Sequence, residues 1–434
     1  MNVFILGKEL IELDMEKRQK YNGFVYHLYK FFQSKEIEVI RNSKAQLYTV
    51  RFTIGSNRED FNVIIDTGSL LLWIPSNDCY RCASQIKKYN VRSSTSYRNL
   101  SEPKTIQYAD GSFSKGYLSE EIVNLGSVYT NLTFLLTYEM SQEIEGSSGI
   151  LGLGLDYQSE ESSSIISMLY QNNQINKKLF SQKFEGEKGK LYIGDLPPEI
   201  SNNISDFSTC KVPKEIHFYN IWACRLEGFF VGFHYSYDKI FKIENRKVLY
   251  DSGTNFIVFD QKTEDLFIKY FFRDYLENGY CSRREGYYFC NTFLHELFFP
   301  PLYFIVEGLA YRIDGKDLFL DISYGYVQLR VSFVNDQEDL WILGQPFLEK
   351  YHVVYNMEEE HIGFFGGKKY NAKNYIDNEA EPKEDNVPIH IYILLVFVVL
   401  SIIAIAIYKF KLMRGRHRSV NSNQRQNINE PMLN

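Results

Sequence analysis

The sequence predicts an all-β protein made of two related lobes. From Gln46 onward, short apolar runs alternate with Gly, Ser, Asn and Asp turns, a pattern typical of antiparallel strands. Aromatic residues make up 16% of the chain, which agrees with a β-rich fold. A tetrad of the form Asp-[Ser/Thr]-Gly-[Ser/Thr] follows an apolar run twice, at Asp66 and at Asp251, 185 positions apart. With 434 residues and 44% apolar composition, the chain can fill two sizeable cores.

The two halves contain matching elements in the same order. In the first half we expect strands in QLYTVRFTIG, FNVIIDTG, LLLWIP, TIQYADGS and YLSEEIVNLG, a short surface helix in SSIISMLYQNNQI, and a joining strand in GKLYIGDL. In the second half we expect strands in KVLYDSGTNFIVF, LYFIVEGLAYRI, YVQLRVSFV, LWILGQPFLEKYHVVYN and HIGFFGG. After its tetrad each half has an apolar-apolar-Gly element, ending at Gly152 in one and at Gly344 in the other.

The pattern predicts six segments along the chain. They are a leader or prosegment over 1–45, an N-terminal lobe over 46–195, a C-terminal lobe over 196–366, an acidic stalk over 367–388, a transmembrane helix over 389–408 and a cytoplasmic tail over 409–434.

A membrane anchor is predicted near the end of the chain. The run from Ile391 to Tyr408 contains no charge and, with the apolar residues before it, is long enough to cross a bilayer. A buried core helix is the alternative. Five basic residues follow the run, whereas the flank before it is mixed, so the positive-inside rule places the body on the luminal or extracellular side and the tail in the cytoplasm. Polar residues after the run disfavour cleavage to a glycolipid anchor.

The beginning of the chain conflicts with this topology, because its short apolar run and early acids make a poor signal peptide. Three explanations are open. The start of the chain is incomplete or unusual, or translocation uses an unrecognised signal, or the protein is tail-anchored with a cytosolic body. We favour the first, since the cysteine pairs and the basic tail oppose tail anchoring. Basic residues at Lys17, Arg18 and Lys20 suit a prosegment that covers an acidic cleft and is cut away near residues 35–45 on acidification.

The six cysteines fall into three close pairs, which predict local disulfides formed in an oxidising compartment. Six free thiols, or half of a zinc site at the Cys-x-x-Cys, are the alternatives. Three Asn-x-Ser/Thr sequons, at Asn99, Asn131 and Asn203, agree with a secretory route. The expected pairs are Cys79–Cys82, Cys210–Cys224 and Cys281–Cys290.

Charge and composition exclude some function classes. The net charge is −6 and the body has no basic stripe, so nucleic acid is not an expected partner. We expect polypeptide substrates, a lipid bilayer around residues 389–408, no cofactor or metal, and a monomer.

The spaced motifs together resemble those of the pepsin-like aspartic proteases, the two-lobed eukaryotic family, over about Gln46 to Phe365. VIIDTGSLLLWIPS is similar to the first catalytic turn, IQYADGSFSKGYLSEE to the flap hairpin and SSGILGLG to the apolar-Gly element of the first lobe. VLYDSGTNFIVF is similar to the second turn, and LWILGQPFLEKYHVVYNMEEEHIGFF to the last strands. The resemblance implies a pepsin-like double β-barrel with a catalytic cleft between the lobes.

The resemblance also assigns roles to individual residues. It places the catalytic pair at Asp66 and Asp251. The supporting positions are Thr67 and Ser252, which brace the two turns; Gly68 and Gly253, which allow close approach; Ser69 and Thr254, which bind the outer carboxylate oxygens; and Tyr108, Gly111 and Ser112 of the flap, with Trp73 beneath them. The sequence departs from the best-known members at Ala109, Leu70, Leu71 and Asn255, none of which takes part in the expected proton chemistry.

Two neighbouring carboxylates explain the expected chemistry. They cannot both be ionised at low cost, so they share one proton and titrate as a unit; aspartic proteases are the standard example of this behaviour. The ionised member can draw a proton from water while the protonated member donates to the carbonyl oxygen of a peptide bond. A catalytically silent binding module of the same fold is the alternative function. A glycosidase would need other positioning motifs.

Overall fold

The computed structural model describes residues 34–141, 144, 146–157, 164–232, 240–242, 246–291, 299–323, 325–335 and 339–372. The predicted anchor over 389–408, the tail over 409–434, and most of the leader and stalk lie outside the described residues. Within the described part of the chain, no helix is long and apolar enough to span a bilayer.

Among the described residues, the first half contains ten strands and one short α-helix. The strands are β1 (Lys35–Arg41), β2 (Tyr48–Ile54), β3 (Glu59–Asp66), β4 (Leu72–Pro75), β5 (Arg98–Gln107), β6 (Phe113–Leu125), β7 (Val128–Met140), β8 (Ile150–Gly152), β9 (Leu179–Glu185) and β10 (Lys188–Ile193). The helix is α1 (Ile165–Gln171), at the position where the sequence predicts one; it buries Ile165, Ile166 and Leu169.

The second half is also mostly strands. They are β11 (Phe207–Lys211), β12 (Ala223–Arg225), β13 (Gly228–Val231), β14 (Ile240–Lys242), β15 (Lys247–Tyr250), β16 (Ile257–Asp260), β17 (Cys281–Arg284), β18 (Tyr287–Asn291), β19 (Leu302–Val306), β20 (Leu309–Ile313), β21 (Phe319–Ser323), β22 (Tyr326–Leu329), β23 (Val331–Val334), β24 (Leu340–Leu343), β25 (His352–Asn356), β26 (His361–Phe365) and β27 (Lys368–Asn371). The helices are α2 (Pro198–Ser201), α3 (Glu264–Phe271), α4 (Arg273–Glu277) and α5 (Gln345–Leu348). The prediction of an all-β fold is confirmed.

One sheet of 13 strands runs through both halves. Its order is β11-β26-β25-β9-β10-β1-β2-β3-β8-β4-β7-β6-β5. The contact between halves is antiparallel and lies between β9 and β25, where Ser181 is opposite Val354. The sheet therefore continues past the expected lobe boundary at residue 195, because strands from the second half satisfy the backbone groups of β9 that would otherwise form an open edge.

Three smaller sheets complete the second half. Two have five strands, in the orders β12-β15-β24-β16-β23 and β14-β13-β19-β20-β27, and one has four, in the order β17-β18-β22-β21. Buried aromatic side chains join these elements to the large sheet. Tyr250 of β15 and Tyr311 of β20 each lie 4.9 Å from Phe364 of β26, measured between ring centroids.

A three-strand arrangement occurs once in each half. In the first half β8 lies between β3, to which it is parallel, and β4, to which it is antiparallel. In the second half β24 lies between β15 and β16 with the same two orientations. The repeated apolar-Gly elements therefore occupy equivalent central strands, and each tetrad begins where an outer strand ends.

Strands lie beyond both ends of the predicted body and pair with it. Residues 35–41, assigned to the leader, form β1 and pair with β2 and β10 inside the large sheet. The predicted cut near residues 35–45 would therefore remove a strand that buries Ile37 and Val39. At the other end, β27 falls in the predicted stalk but pairs with β20.

All three expected disulfides are present, and none of the six cysteines is free. Cys281 and Cys290 lie opposite each other on β17 and β18, with 4.1 Å between their Cα atoms. Cys210 and Cys224 join β11 to β12. Because Cys79 is bonded to Cys82, the zinc-site alternative for this pair is excluded.

The position of β1 gives a test by substitution. Val39 is fully buried, whereas the adjacent Ile40 is 53% exposed. Val39→Ala should cost about 2 kcal/mol of unfolding free energy and lower the melting temperature by roughly 3–6 °C. Ile40→Ala, as matched control, should change it by less than about 1 °C. Equal effects of the two substitutions in differential scanning calorimetry would show that β1 does not belong to the folded body.

Candidate active site

The two tetrads are brought together by equivalent backbone arrangements. Asp66 is the last residue of β3 and lies opposite Gly152 of β8. Asp251 directly follows β15, whose last residue Tyr250 lies opposite Leu343 of β24. The main chain holds each turn in the same manner: Gly154 N donates to Ser69 O at 2.7 Å, and Gln345 N donates to Thr254 O at 2.9 Å.

Four reciprocal hydrogen bonds join the two turns. Thr67 Oγ1 accepts from Ser252 N at 2.9 Å and donates to Tyr250 O at 2.7 Å. Ser252 Oγ accepts from Thr67 N at 3.1 Å and donates to Ile65 O at 2.8 Å. Thr67 and Ser252 are fully buried. Because each hydroxyl satisfies two backbone groups of the opposite turn, neither turn can move alone without leaving buried polar groups unpaired.

Each carboxylate accepts two hydrogen bonds from its own turn. Asp66 accepts from Gly68 N at 2.9 Å and from the Ser69 hydroxyl. Asp251 accepts from Gly253 N at 2.8 Å and from Thr254 Oγ1 at 2.5 Å. These bonds fix the orientation of both carboxylates.

Glycine is required at 68 and 253 because each turn lies against the opposite carboxylate. A Cβ atom at Gly68 would lie 2.9 Å from Asp251 Cγ, and one at Gly253 would lie 2.5 Å from Asp66 Oδ1. Both distances are shorter than real Cβ atoms tolerate. The close approach of the two turns also places the two carboxylates next to each other.

The environment of the pair favours retention of a proton. Asp66 is 5% exposed and Asp251 is 8% exposed. Burial is the main cause that raises the pKa of Asp66 well above its ordinary value, and the charge of Asp251 raises it further; the bonds from Ser69 and Gly68 oppose both effects. The pair can therefore hold one proton at a pH where an exposed aspartate has lost it.

A hairpin tip lies beside this pair. Tyr108 and Ser112 connect β5 to β6, with Tyr108 N donating to Ser112 O at 2.9 Å and Gly111 N donating to Tyr108 O at 3.0 Å. Gly111 has a φ of +83°, a conformation that favours glycine. Trp73 Nε1 donates to Tyr108 Oη at 2.6 Å, so the buried Trp73 holds the tyrosine. Burial and the charge of Asp66 raise the pKa of Tyr108, which keeps it a neutral phenol.

Sequence reasoning missed three side chains that support the pair. Gln345 Nε2 donates to Ser252 O at 2.8 Å, and Gln182 Nε2 donates to Ser252 Oγ at 3.4 Å. Arg330 Nε donates to Asn255 O at 3.2 Å. Gln345 directly follows the apolar-Gly element, so its place in the sequence could have identified it as a supporting residue. Gln182 lies on β9 and Arg330 lies between β22 and β23, and neither belongs to a local motif.

Comparison with known proteins agrees with the geometry. A family model described as eukaryotic aspartyl protease matches residues 47–365. Vacuolar protease A of Aspergillus fumigatus is 25% identical over 74% of this chain and 79% of its own length. Renin of Canis lupus familiaris is 24% identical over 75% and 80%, and plasmepsin IV of Plasmodium falciparum is 26% identical over 72% and 67%.

The reciprocal bonds between the turns give a stability prediction. Thr67→Val keeps the shape of the side chain but leaves Ser252 N and Tyr250 O unpaired, at about 1–3 kcal/mol for each buried group. We expect its melting temperature to fall by roughly 5 °C or more. Thr67→Ser retains the hydroxyl and should lose much less. A Thr67→Val protein as stable as Thr67→Ser would contradict the bracing role.

Proposed function

The chain belongs to the eukaryotic aspartyl protease family, and we propose that it is an active aspartic endopeptidase that uses Asp66 and Asp251 to activate water. The observation that carries this proposal is the pair of buried carboxylates, each fixed by its own turn and placed against the other. A catalytically silent module would not need a complete set of hydroxyls around both acids.

The proposed mechanism assigns different roles to the two acids. Asp66 and Asp251 share one proton, and burial and the charge of Asp251 raise the pKa of Asp66. The ionised acid takes a proton from a water molecule as the water oxygen attacks the carbonyl carbon of the peptide bond, and the protonated acid gives its proton to the carbonyl oxygen. When the tetrahedral intermediate collapses, the amide nitrogen leaves with the proton taken from water, and the acid that gave its proton recovers one from a hydroxyl of the intermediate. The cycle balances with one water consumed for each bond cleaved.

The flap completes this mechanism. An extended polypeptide between the hairpin tip and the carboxylates would be covered by Tyr108, which Trp73 holds in place. Covering the cleft excludes bulk water and strengthens the electrostatic interactions of the pair. We therefore assign Gly111 and Ser112 to the mobile tip of a substrate lid.

We further propose that the catalytic body is tethered to a membrane by residues 389–408 and faces the lumen of a secretory or endolysosomal compartment or the cell exterior. The support is the uncharged run with its basic flank, together with three disulfides, which persist in oxidising compartments. The asparagines of all three sequons are exposed and available to a glycosyltransferase.

Substitution of either acid tests the mechanism. Asp66→Asn and Asp251→Asn should each lower kcat/KM for an unfolded protein substrate by about 100-fold or more, since each removes one partner of the proton transfer. Asp274→Asn, at an exposed position of α4, should retain full activity. Wild-type cleavage should stop on addition of a statine inhibitor. If either catalytic variant kept more than a few percent of activity, the proposed mechanism would be wrong.

Activity should also be confined to acid pH. Because the raised pKa of Asp66 marks the loss of the shared proton, the rate should fall as pH rises through that value. A pH–rate profile of kcat/KM checks this expectation. A plateau that extends above neutrality would count against a shared proton.

The proposed topology is tested in sealed vesicles. The body should resist added protease until detergent is present, whereas an epitope placed after Arg418 should be lost at once. The opposite pattern would place the body in the cytosol and would contradict the proposed location, while leaving the catalytic proposal untouched.

A further inference from the structure

A buried ion-pair network lies behind the second catalytic turn. Arg330, 4% exposed, donates from Nη1 and Nη2 to the two carboxylate oxygens of Glu349, at 3.0 and 3.1 Å. Its third donor, Nε, lies 3.2 Å from the carbonyl oxygen of Asn255. Glu349 thus fixes the guanidinium of Arg330, which binds Asn255, the residue directly after Thr254.

The network continues into the first half of the chain. Arg41 Nη2, at the end of β1, lies 3.3 Å from Glu349 Oε1. The Asn255 side chain reaches the same segment, because its Nδ2 donates to Ala45 O at 2.6 Å. The end of β1 is therefore joined to Glu349 by an ion pair, and the turn between β1 and β2 is joined to Asn255 by a side-chain amide.

The short helix α5 connects these contacts to the pair of acids. Gln345, its first residue, binds Ser252 O through its side chain and Thr254 O through its backbone. Glu349 directly follows the helix and orients Arg330. Three carbonyls of the second turn, those of Ser252, Thr254 and Asn255, are thus bound by Gln345 of α5 and by Arg330.

We propose that Arg330, oriented by Glu349, is a positioning residue that sets the place of Thr254 and, through its hydroxyl, of the Asp251 carboxylate. This inference rests on the proposed proteolytic function and adds a residue that none of the sequence motifs contains. Arginine is required because only its planar fork can bind both oxygens of Glu349 and still present Nε to a carbonyl. Lysine keeps the charge and loses this geometry.

The consequence for chemistry is electrostatic. The Thr254 hydroxyl donates to Asp251 Oδ2 at 2.5 Å, and a hydrogen bond donated to a carboxylate favours the form of an acid pair that has lost a proton. If the turn is displaced, this bond weakens and a proton is held by the pair more strongly. The acid limb of the pH–rate profile, below which both acids are protonated, should then move to higher pH. The titratable groups that act on the pair are the acids themselves, with Tyr108 and Tyr355 beside them.

The test compares Arg330→Lys with Arg246→Lys in the full-length protein. Arg246 is also largely buried and ion-paired, to Asp260 at 2.6 Å, but it does not contact the catalytic turns through that pair. Arg330→Lys should lower kcat by about 10-fold or more with KM changed by less than about threefold, and should shift the acid limb upward by about half a pH unit. Arg246→Lys should leave kcat and the profile unchanged, whatever it does to the melting temperature.

Glu349→Gln provides a second variant, because the amide retains the shape of the side chain but loses the charge-assisted pair. Like Arg330→Lys, it should lower kcat and move the acid limb to higher pH, but by smaller amounts. Rates are normalised to active sites titrated with a statine inhibitor, so that partial unfolding does not imitate the effect. If wild type cleaves substrate and both variants retain its kcat and acid limb, the positioning role is overturned. If wild type does not cleave, the proposed function itself fails.

Discussion

The reciprocal hydrogen bonds between Thr67 and Ser252 are the interaction on which the rest of the site depends. Each hydroxyl lies inside the opposite turn and satisfies two of its backbone groups. The cost of leaving such groups unpaired in a buried site makes the two turns one mechanical unit. The position of Asp66 is therefore set partly by the second half of the chain, and that of Asp251 partly by the first.

This unit makes a costly electrostatic arrangement possible. Two carboxylates in a buried site repel each other and are poorly solvated, and a flexible turn would relieve both effects by moving away. Here each turn is also held by further hydrogen bonds. Gly154 binds the first turn, and α5 and Arg330 bind the second. The surrounding network thus keeps the two acids buried and adjacent, and burial and the charge of Asp251 raise the pKa of Asp66.

The strand-rich fold and the paired cysteines could be predicted because both are local signals. Alternating apolar runs indicate strands, and close cysteine spacing limits the choice of partners. The edges of the body could not be predicted in the same way. The segment KEIEVIR is short and four of its seven residues are charged, and it becomes β1 because β2 and β10 pair with its two edges. In the same way, Lys368–Asn371 becomes the strand β27 because it pairs with β20.

For the candidate site, the sequence by itself determined which residues carry the chemistry: two tetrads, a tyrosine hairpin and a tryptophan, each recognisable from its neighbours. It also determined that glycine follows each Asp-[Ser/Thr] pair, although only the structure shows the opposite carboxylate that makes a side chain impossible there. The tertiary structure alone decided what holds these residues. Gln182 and Arg330 reach the second turn from distant segments, and Asn255 beside that turn contacts Ala45, 210 positions away. A contact of this kind leaves no local pattern, because it depends on how the strands pack and not on the order of neighbouring residues.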